Sequence, residues 1–196
     1  MRTEFGAERT SCACDACQRC CRFLSAWLIP SDLERLIPSG VDPFKWAQSN
    51  LLASPGPLIV QVVEQEFLSR RKPQRCERRL VRRWFRVPGL VLAANADGSC
   101  KFLSATGGCS IHEVNPFGCA FFDGHAHRSP GSDRLLRAGL TSSIEVGPKH
   151  LYHRLRQHLI RQGLVSPTPE AQRARMRRAR AKPEPIASAS ERRLSR

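Results

Sequence analysis

The sequence predicts an α+β fold: a small, irregular domain of short helices and a few short strands, followed by a basic C-terminal tail. Three observations lead there. Apolar residues make up 41% and aromatic residues 7% of the 196-residue chain, which supports one modest core and not a large one. Helix-start and turn signals follow one another closely, so no element is long. Seven of the nine cysteines fall into two sets far apart in the chain, Cys14, Cys17, Cys20 and Cys21, then Cys100, Cys109 and Cys119. A fold short of bulky core residues gains more than most from such a crosslinking device.

Taken in order, Ser31 followed by Glu34 has capping-box spacing and predicts a short helix that stops near Pro38 and Gly40. Asp42 before Pro43 predicts a second helix start, because proline is preformed for the first turn and has no amide hydrogen to leave unbonded there. That helix is expected to run to about Ala53, and Ser54-Pro55-Gly56-Pro57 breaks it. Leu58 to Leu68 suits a strand or a helix, and periodicity does not choose. Within the arginine-rich stretch that follows, Cys76, Leu80, Val81, Trp84 and Phe85 recur at helical spacing, ending at Val87-Pro88-Gly89.

Leu90 to Ala94 reads as a strand, Asn95-Ala96-Asp97-Gly98 as a turn and Cys100 to Leu103 as a second extended piece. Thr106-Gly107-Gly108 then returns the chain so that Cys109 faces the side of Cys100. His150 to Gln162 sets Leu151, Leu155 and Leu159 on one stripe, an amphipathic helix that closes the domain. Ser166-Pro167-Thr168-Pro169 is a linker. The remaining tail has almost nothing to bury and is expected to be disordered, apart from a nascent helix from Glu170 to Ala181. The predicted organisation is an N-terminal extension (1–11), a cysteine-cluster domain (12–163) and a basic tail (164–196).

The first cysteine set reads CxxCxxCC. Two residues between thiols let one turn of backbone aim both sulfurs at a single ion, and an ion shared with the later set would close the intervening chain into a loop. Its binding free energy then becomes folding free energy. Residues 1–11 carry scattered charges and no apolar run, so no secretory leader is expected. The longest apolar stretch, around Leu58 to Val63, is far shorter than the ~20 residues of a spanning helix. A cytoplasmic protein with reduced thiols is the expectation, and an odd cysteine count fits a disulfide framework poorly.

The net charge is +15, and its placement is uneven. Arg70 to Arg86 holds nine basic residues and one acid, and Glu170 to Arg196 holds nine basic and three acidic, which together account for nearly all of the excess. Two basic elements appended to a balanced domain suggest an acidic partner such as RNA through 70–86 and 170–196.

Several residue groups together resemble a known family. Cys14-x-x-Cys17-x-x-Cys20-Cys21-Arg22, Pro30-Ser31-Asp32, Gly98-Ser99-Cys100-Lys101-Phe102-Leu103, Cys109-Ser110-Ile111-His112 and Asn115-Pro116-x-x-Cys119 resemble the zinc- or iron-chelating cysteine-cluster (CxxCxxCC) domains, to which the cysteine domain of flagellin lysine-N-methylase is related. The resemblance spans roughly Ser11 to His125 and implies a small metal-binding domain with Cys14, Cys17, Cys20, Cys21, Cys100, Cys109 and Cys119 as ligands. The chain departs from the family at His112, where tyrosine is usual, and at Asn115 and Ala120, where arginine is usual. Four thiolates around a divalent ion carry net negative charge, so Arg19, Arg22 and Lys101 are the cations expected to offset it.

Seven thiols exceed the four that one tetrahedral zinc takes, and the adjacent Cys20 and Cys21 diverge too much to chelate one ion easily. One Zn2+ with spare thiols, a dinuclear thiolate cluster and an iron-sulfur cluster all remain open, with zinc first. His112 has ligand-compatible spacing from Cys109, with a hydrogen-bonding role beside the centre as the leading expectation. Cys12 is expected to be a surface thiol, Cys76 a small core residue, His125 and His127 loop residues, and His150, His153 and His158 surface residues of the closing helix. Phosphate-binding glycine loops, a methyltransferase-type glycine loop, a serine elbow and HExxH are all missing from the sequence. Non-enzymatic metal binding is therefore expected ahead of an iron-sulfur redox enzyme, a protein-modifying component or an RNA-associated protein with structural zinc.

Overall fold

Three short apolar runs, 27–28, 51–54 and 89–92, form the centre of the fold in the computed structural model, which describes residues 21–22, 26–68, 76–114, 116–121, 132–168, 170–174 and 177. Among them the elements run β1 (Trp27–Leu28), α1 (Asp32–Leu36), α2 (Pro43–Asn50), β2 (Leu51–Ser54), β3 (Leu58–Leu68), β4 (Cys76–Arg86), β5 (Gly89–Leu92), α3 (Phe117–Phe121), α4 (Ser132–Glu145) and α5 (Leu151–Arg161). The result is the small α+β domain that the sequence predicts.

β1, β5 and β2 make one antiparallel sheet in that order, with Leu28 opposite Leu90 and Leu52 opposite Val91. Successive side chains on a strand point to opposite faces. Leu28, Leu51, Ala53, Leu90 and Leu92 accordingly join Leu33, Ala47, Leu155 and Leu159 in one core cluster under α1, α2 and α5. Trp27, Val91 and the half-buried Leu52 face the other way, into a second cluster with Phe117 of α3 and Leu140 of α4. A sheet covered on both faces explains why its strands are apolar on both faces rather than alternating, apart from Ser54 at the end of β2.

A single polar side chain links α5 to this sheet. The buried Tyr152 hydroxyl donates to the Leu28 carbonyl at 2.8 Å and accepts from the Leu90 amide at 2.9 Å, so it bridges residues that face each other across β1 and β5. Burial raises its pKa far above the ordinary tyrosine range, which keeps it protonated and able to do both.

β3 and β4 form a separate two-stranded antiparallel ribbon, paired from Leu58–Arg86 to Leu68–Cys76. This resolves the open choice at Leu58–Leu68 in favour of strand and corrects the helix expected over Cys76–Phe85. The positions that suggested a helix also fit a two-sided strand: Leu80 and Trp84 lie on one face, Val81 and Phe85 on the other. Phe85, paired with Ile59, packs on the second core cluster, and β-branched and aromatic residues suit such a pleated surface.

Other boundaries shift for local reasons. α2 starts as expected, with Asp42 accepting from the Phe44 amide at 2.9 Å, but ends at Asn50 because Leu51–Ser54 pairs with β5. Ser31 makes no capping hydrogen bond, and the neighbouring Asp32 accepts instead from the Ile29 amide ahead of the helix. Cys100 to Leu103 forms two isolated bridges, Ala94–Cys100 and Leu103–Cys109, rather than a strand. α3 and α4 were not anticipated. Beyond Gly163 the chain stays attached, since Ala53 donates to the Leu164 carbonyl at 2.9 Å and Ser166 donates to Ala53 at 2.8 Å. Residues 170–174 are helical, in keeping with the first part of the expected tail helix; residues 178–196 lie outside the described residues. No helix among the described residues is long and apolar enough to cross a membrane.

Replacing Tyr152 by Phe keeps the ring and strands the Leu90 amide. Unfolding by urea is expected to show a loss of about 1–3 kcal/mol, the cost of an unsatisfied buried donor; a change within error would mean the bridge contributes nothing.

Candidate metal centre

The later cysteines are delivered by two tight turns in succession. In the first, Gly98 sits at φ +91° and Asp97 accepts from the Ser99 amide at 2.8 Å, which brings Cys100 back against Ala94. In the second, Gly107 sits at φ +85° and Ser104 accepts from the Gly108 amide at 2.9 Å, pairing Cys109 with Leu103. Both glycines occupy the left-handed region that other residues rarely adopt. The return predicted at Thr106-Gly107-Gly108 is therefore present, and Cys109 lies near Cys100.

The early and late parts of the chain meet here. The Cys100 amide donates to the Cys21 carbonyl at 2.5 Å, and Cys21 and Cys119 pack against the same core cluster that contains Cys100. Cys100 is buried; Cys21, Cys109 and Cys119 are half-buried, and none of the four is in a disulfide. Burial is the main reason the Cys100 thiol is pushed up to about 11, and the nearby thiols of Cys21 and Cys109 push it in the same direction. Cys21, Cys100 and Cys109 thus share one electrostatic neighbourhood.

Cys14, Cys17 and Cys20 lie outside the described residues, as do Cys12, Arg19, Asn115, His125 and His127. Among the described residues no group of three His, Cys, Asp or Glu side chains is gathered closely enough to hold a metal ion. His112 is half-buried beside Cys109, donating its amide to the Cys109 carbonyl at 3.2 Å. The Lys101 ammonium bonds the Ser49 carbonyl of α2, which directs it toward that helix. Cys76 lies on β4, within the ribbon.

The three histidines of the closing helix have structural work. His150 caps α5, its Nδ1 accepting from the Tyr152 amide at 3.1 Å. His153 Nε2 lies 3.0 Å from the Val146 carbonyl, and His158 Nε2 lies 2.8 Å from the Gln48 amide nitrogen, with its ring edge-on to Phe44.

Sequence reasoning missed the residue that positions Cys119. Asp32, fully buried at the start of α1, accepts from the Ile29 amide at 2.8 Å and from the Phe117 amide at 3.1 and 3.0 Å through its two oxygens, and it pairs with Arg35. Phe117 opens α3, so the carboxylate caps the helix that carries Cys119 from a distant part of the chain. Gly118 completes the placement. A Cβ there would stand 2.4 Å from the Trp27 amide nitrogen and 2.6 Å from its carbonyl oxygen, so only glycine lets α3 rest on β1 this closely. The signal available in the sequence was an aspartate after Pro-Ser, which fitted a helix start equally well.

Residues 13–134, more than half of the chain, match the model of the CxxCxxCC family, described as "Putative zinc- or iron-chelating domain". No curated protein and no solved structure matches the chain significantly.

Asp32 also yields a pH dependence. Burial raises its carboxyl to about 6, outweighing the amide donors of Ile29 and Phe117 and the charge of Arg35, which all pull it down. A raised carboxyl favours the folded state when protonated, so its contribution is complete below about 4 and is lost as pH rises through about 6. The stability advantage of the natural protein over Asp32→Asn is expected to shrink across that window, by as much as ~3 kcal/mol in urea titrations. A constant or growing advantage would contradict this.

Proposed function

The chain belongs to the CxxCxxCC family, and from that premise we propose that Cys14, Cys17, Cys20, Cys21, Cys100, Cys109 and Cys119 supply the thiolates of a metal centre, with zinc as its first occupant and iron as the alternative. The single observation that carries this reading is the contact between Cys100 and Cys21, which joins the first cysteine set to the second. Cys100 makes the chemistry specific. A thiol held protonated by burial is a poor nucleophile and a weak ligand by itself, whereas a bound cation stabilises its thiolate directly. The ion would supply charge compensation and a crosslink between chain segments, and metal binding would then be folding energy.

Four thiolates complete a closed tetrahedral zinc site, and a closed site leaves no open position for substrate. This favours a structural or chelating centre over a catalytic one, in a reducing compartment such as the cytoplasm where the thiols persist. The basic stretches 70–86 and 170–196 serve an acidic macromolecular partner, most plainly RNA, while the metal holds the fold that presents them.

Protein purified anaerobically is expected to carry zinc or iron in stoichiometric amount, and a strong chelator is expected to unfold it cooperatively, seen as loss of the near-ultraviolet circular dichroism. Cys100→Ser should lower metal content, while Cys12→Ser should leave it unchanged. Metal-free protein that stays folded, with an unaltered spectrum, would overturn the proposal.

A further inference from the structure

The strand pairing gives the basic segment a two-sided form that its composition alone does not reveal. Alternate residues share a face, so Arg78, Leu80, Arg82, Trp84 and Arg86 of β4 lie beside Leu58, Val60 and Glu64 of β3. On the opposite face Ile59 and Phe85 pack on the second core cluster, while Gln61 and Arg83 farther along are exposed. On the outer face Leu80 is 75% exposed and Trp84 64%. Together with Leu58, 43% exposed on the same face, they form an apolar group in solvent, the kind of patch that marks an interaction surface.

Charge selects among occupants. On this face Glu64 lies opposite Leu80, while the Arg82–Trp84–Arg86 end is opposed in register by positions 62, 60 and 58, none of them acidic. The Arg82 side chain is exposed to solvent. Arg86 is steadied by the Gly56 carbonyl at 2.9 Å and pairs at 3.2 Å with the exposed Glu170, a contact that an incoming anion can replace. A second copy would bring like charge against like. An insertion into a bilayer fits poorly, because arginines interrupt the apolar residues and the connection between the strands contains Arg70, Arg71, Lys72 and Arg75.

We propose that this outer face binds single-stranded nucleic acid, with a base stacked on Trp84 and the adjoining phosphates held by Arg82 and Arg86; the proposal rests on the reading that the basic segment meets an acidic partner. Alternate strand residues stand about 6.7 Å apart, which places a cation on each side of the indole. Stacking on an aromatic ring needs only the π-face that every base has, so binding is tolerant of sequence. The two arginines add salt-dependent affinity through counterion release.

The test uses the full chain and a dye-labelled, mixed-sequence single-stranded RNA, followed by fluorescence anisotropy over a range of salt. Trp84→Ala is expected to weaken binding about tenfold or more with little change in salt slope, and Trp84→Phe to recover most of the loss. Arg82→Gln should reduce the slope by about one. A chain ending after residue 177 keeps the paired segment 164–166 and should retain the Trp84 effect. Salt-sensitive binding that ignores Trp84→Ala and Arg82→Gln would overturn this assignment and leave the acidic-partner reading standing. No binding to RNA, or binding only to anionic vesicles, would overturn the assignment, and absence of binding to either would remove the parent reading as well.

Discussion

The backbone contact between Cys21 and Cys100 is the constraint on which the candidate centre depends. It joins segments separated by most of the domain, and closing a chain over such a distance carries an entropy cost that one hydrogen bond does not offset. The surrounding structure shares the cost. Cys100 is fixed by a tight turn and buried in the main core, and Cys21 packs on that same core. The proposed metal would add to this, because thiolates that would otherwise repel one another become ligands of one cation.

Two buried polar side chains then set the positions of the helices around the sheet. Tyr152 ties α5 to β1 and β5 through both functions of its hydroxyl, and Asp32 ties α1 to the start of α3 through both oxygens of its carboxylate. Each satisfies backbone groups that would otherwise be buried without partners. Apolar contacts alone would hold these layers together without fixing their register. The polar ties do fix it, and one of them places Cys119 on the edge of the core.

Much of this was legible in the sequence where local chemistry determines local shape. Asp42-Pro43 marked a helix start, Asp97-Gly98 and Gly107-Gly108 marked turns, and the Leu155 and Leu159 stripe marked a packed helix. The failures share a cause, which is that long-range contacts overrode local pattern. Spacing over Cys76–Phe85 fits a helix and a two-sided ribbon, and only pairing with Leu58–Leu68 decides between them. Ala53 looked like a helix end until its pairing with Leu90 and Val165 was in view. The local cap signal was read at Ser31, whereas the polar tie is made by Asp32, whose second partner lies on a helix that the sequence did not announce. Of the seven cysteines drawn from the family pattern, Cys21, Cys100, Cys109 and Cys119 are described, and Cys21 and Cys109 lie near enough to Cys100 to raise its pKa.

Sulfur ligation of the candidate centre is measured directly by X-ray absorption at the metal edge of anaerobically prepared protein. A shell of about four sulfur neighbours is expected, near 2.3 Å if the metal is zinc. A shell made only of nitrogen and oxygen near 2.0–2.1 Å would contradict sulfur ligation.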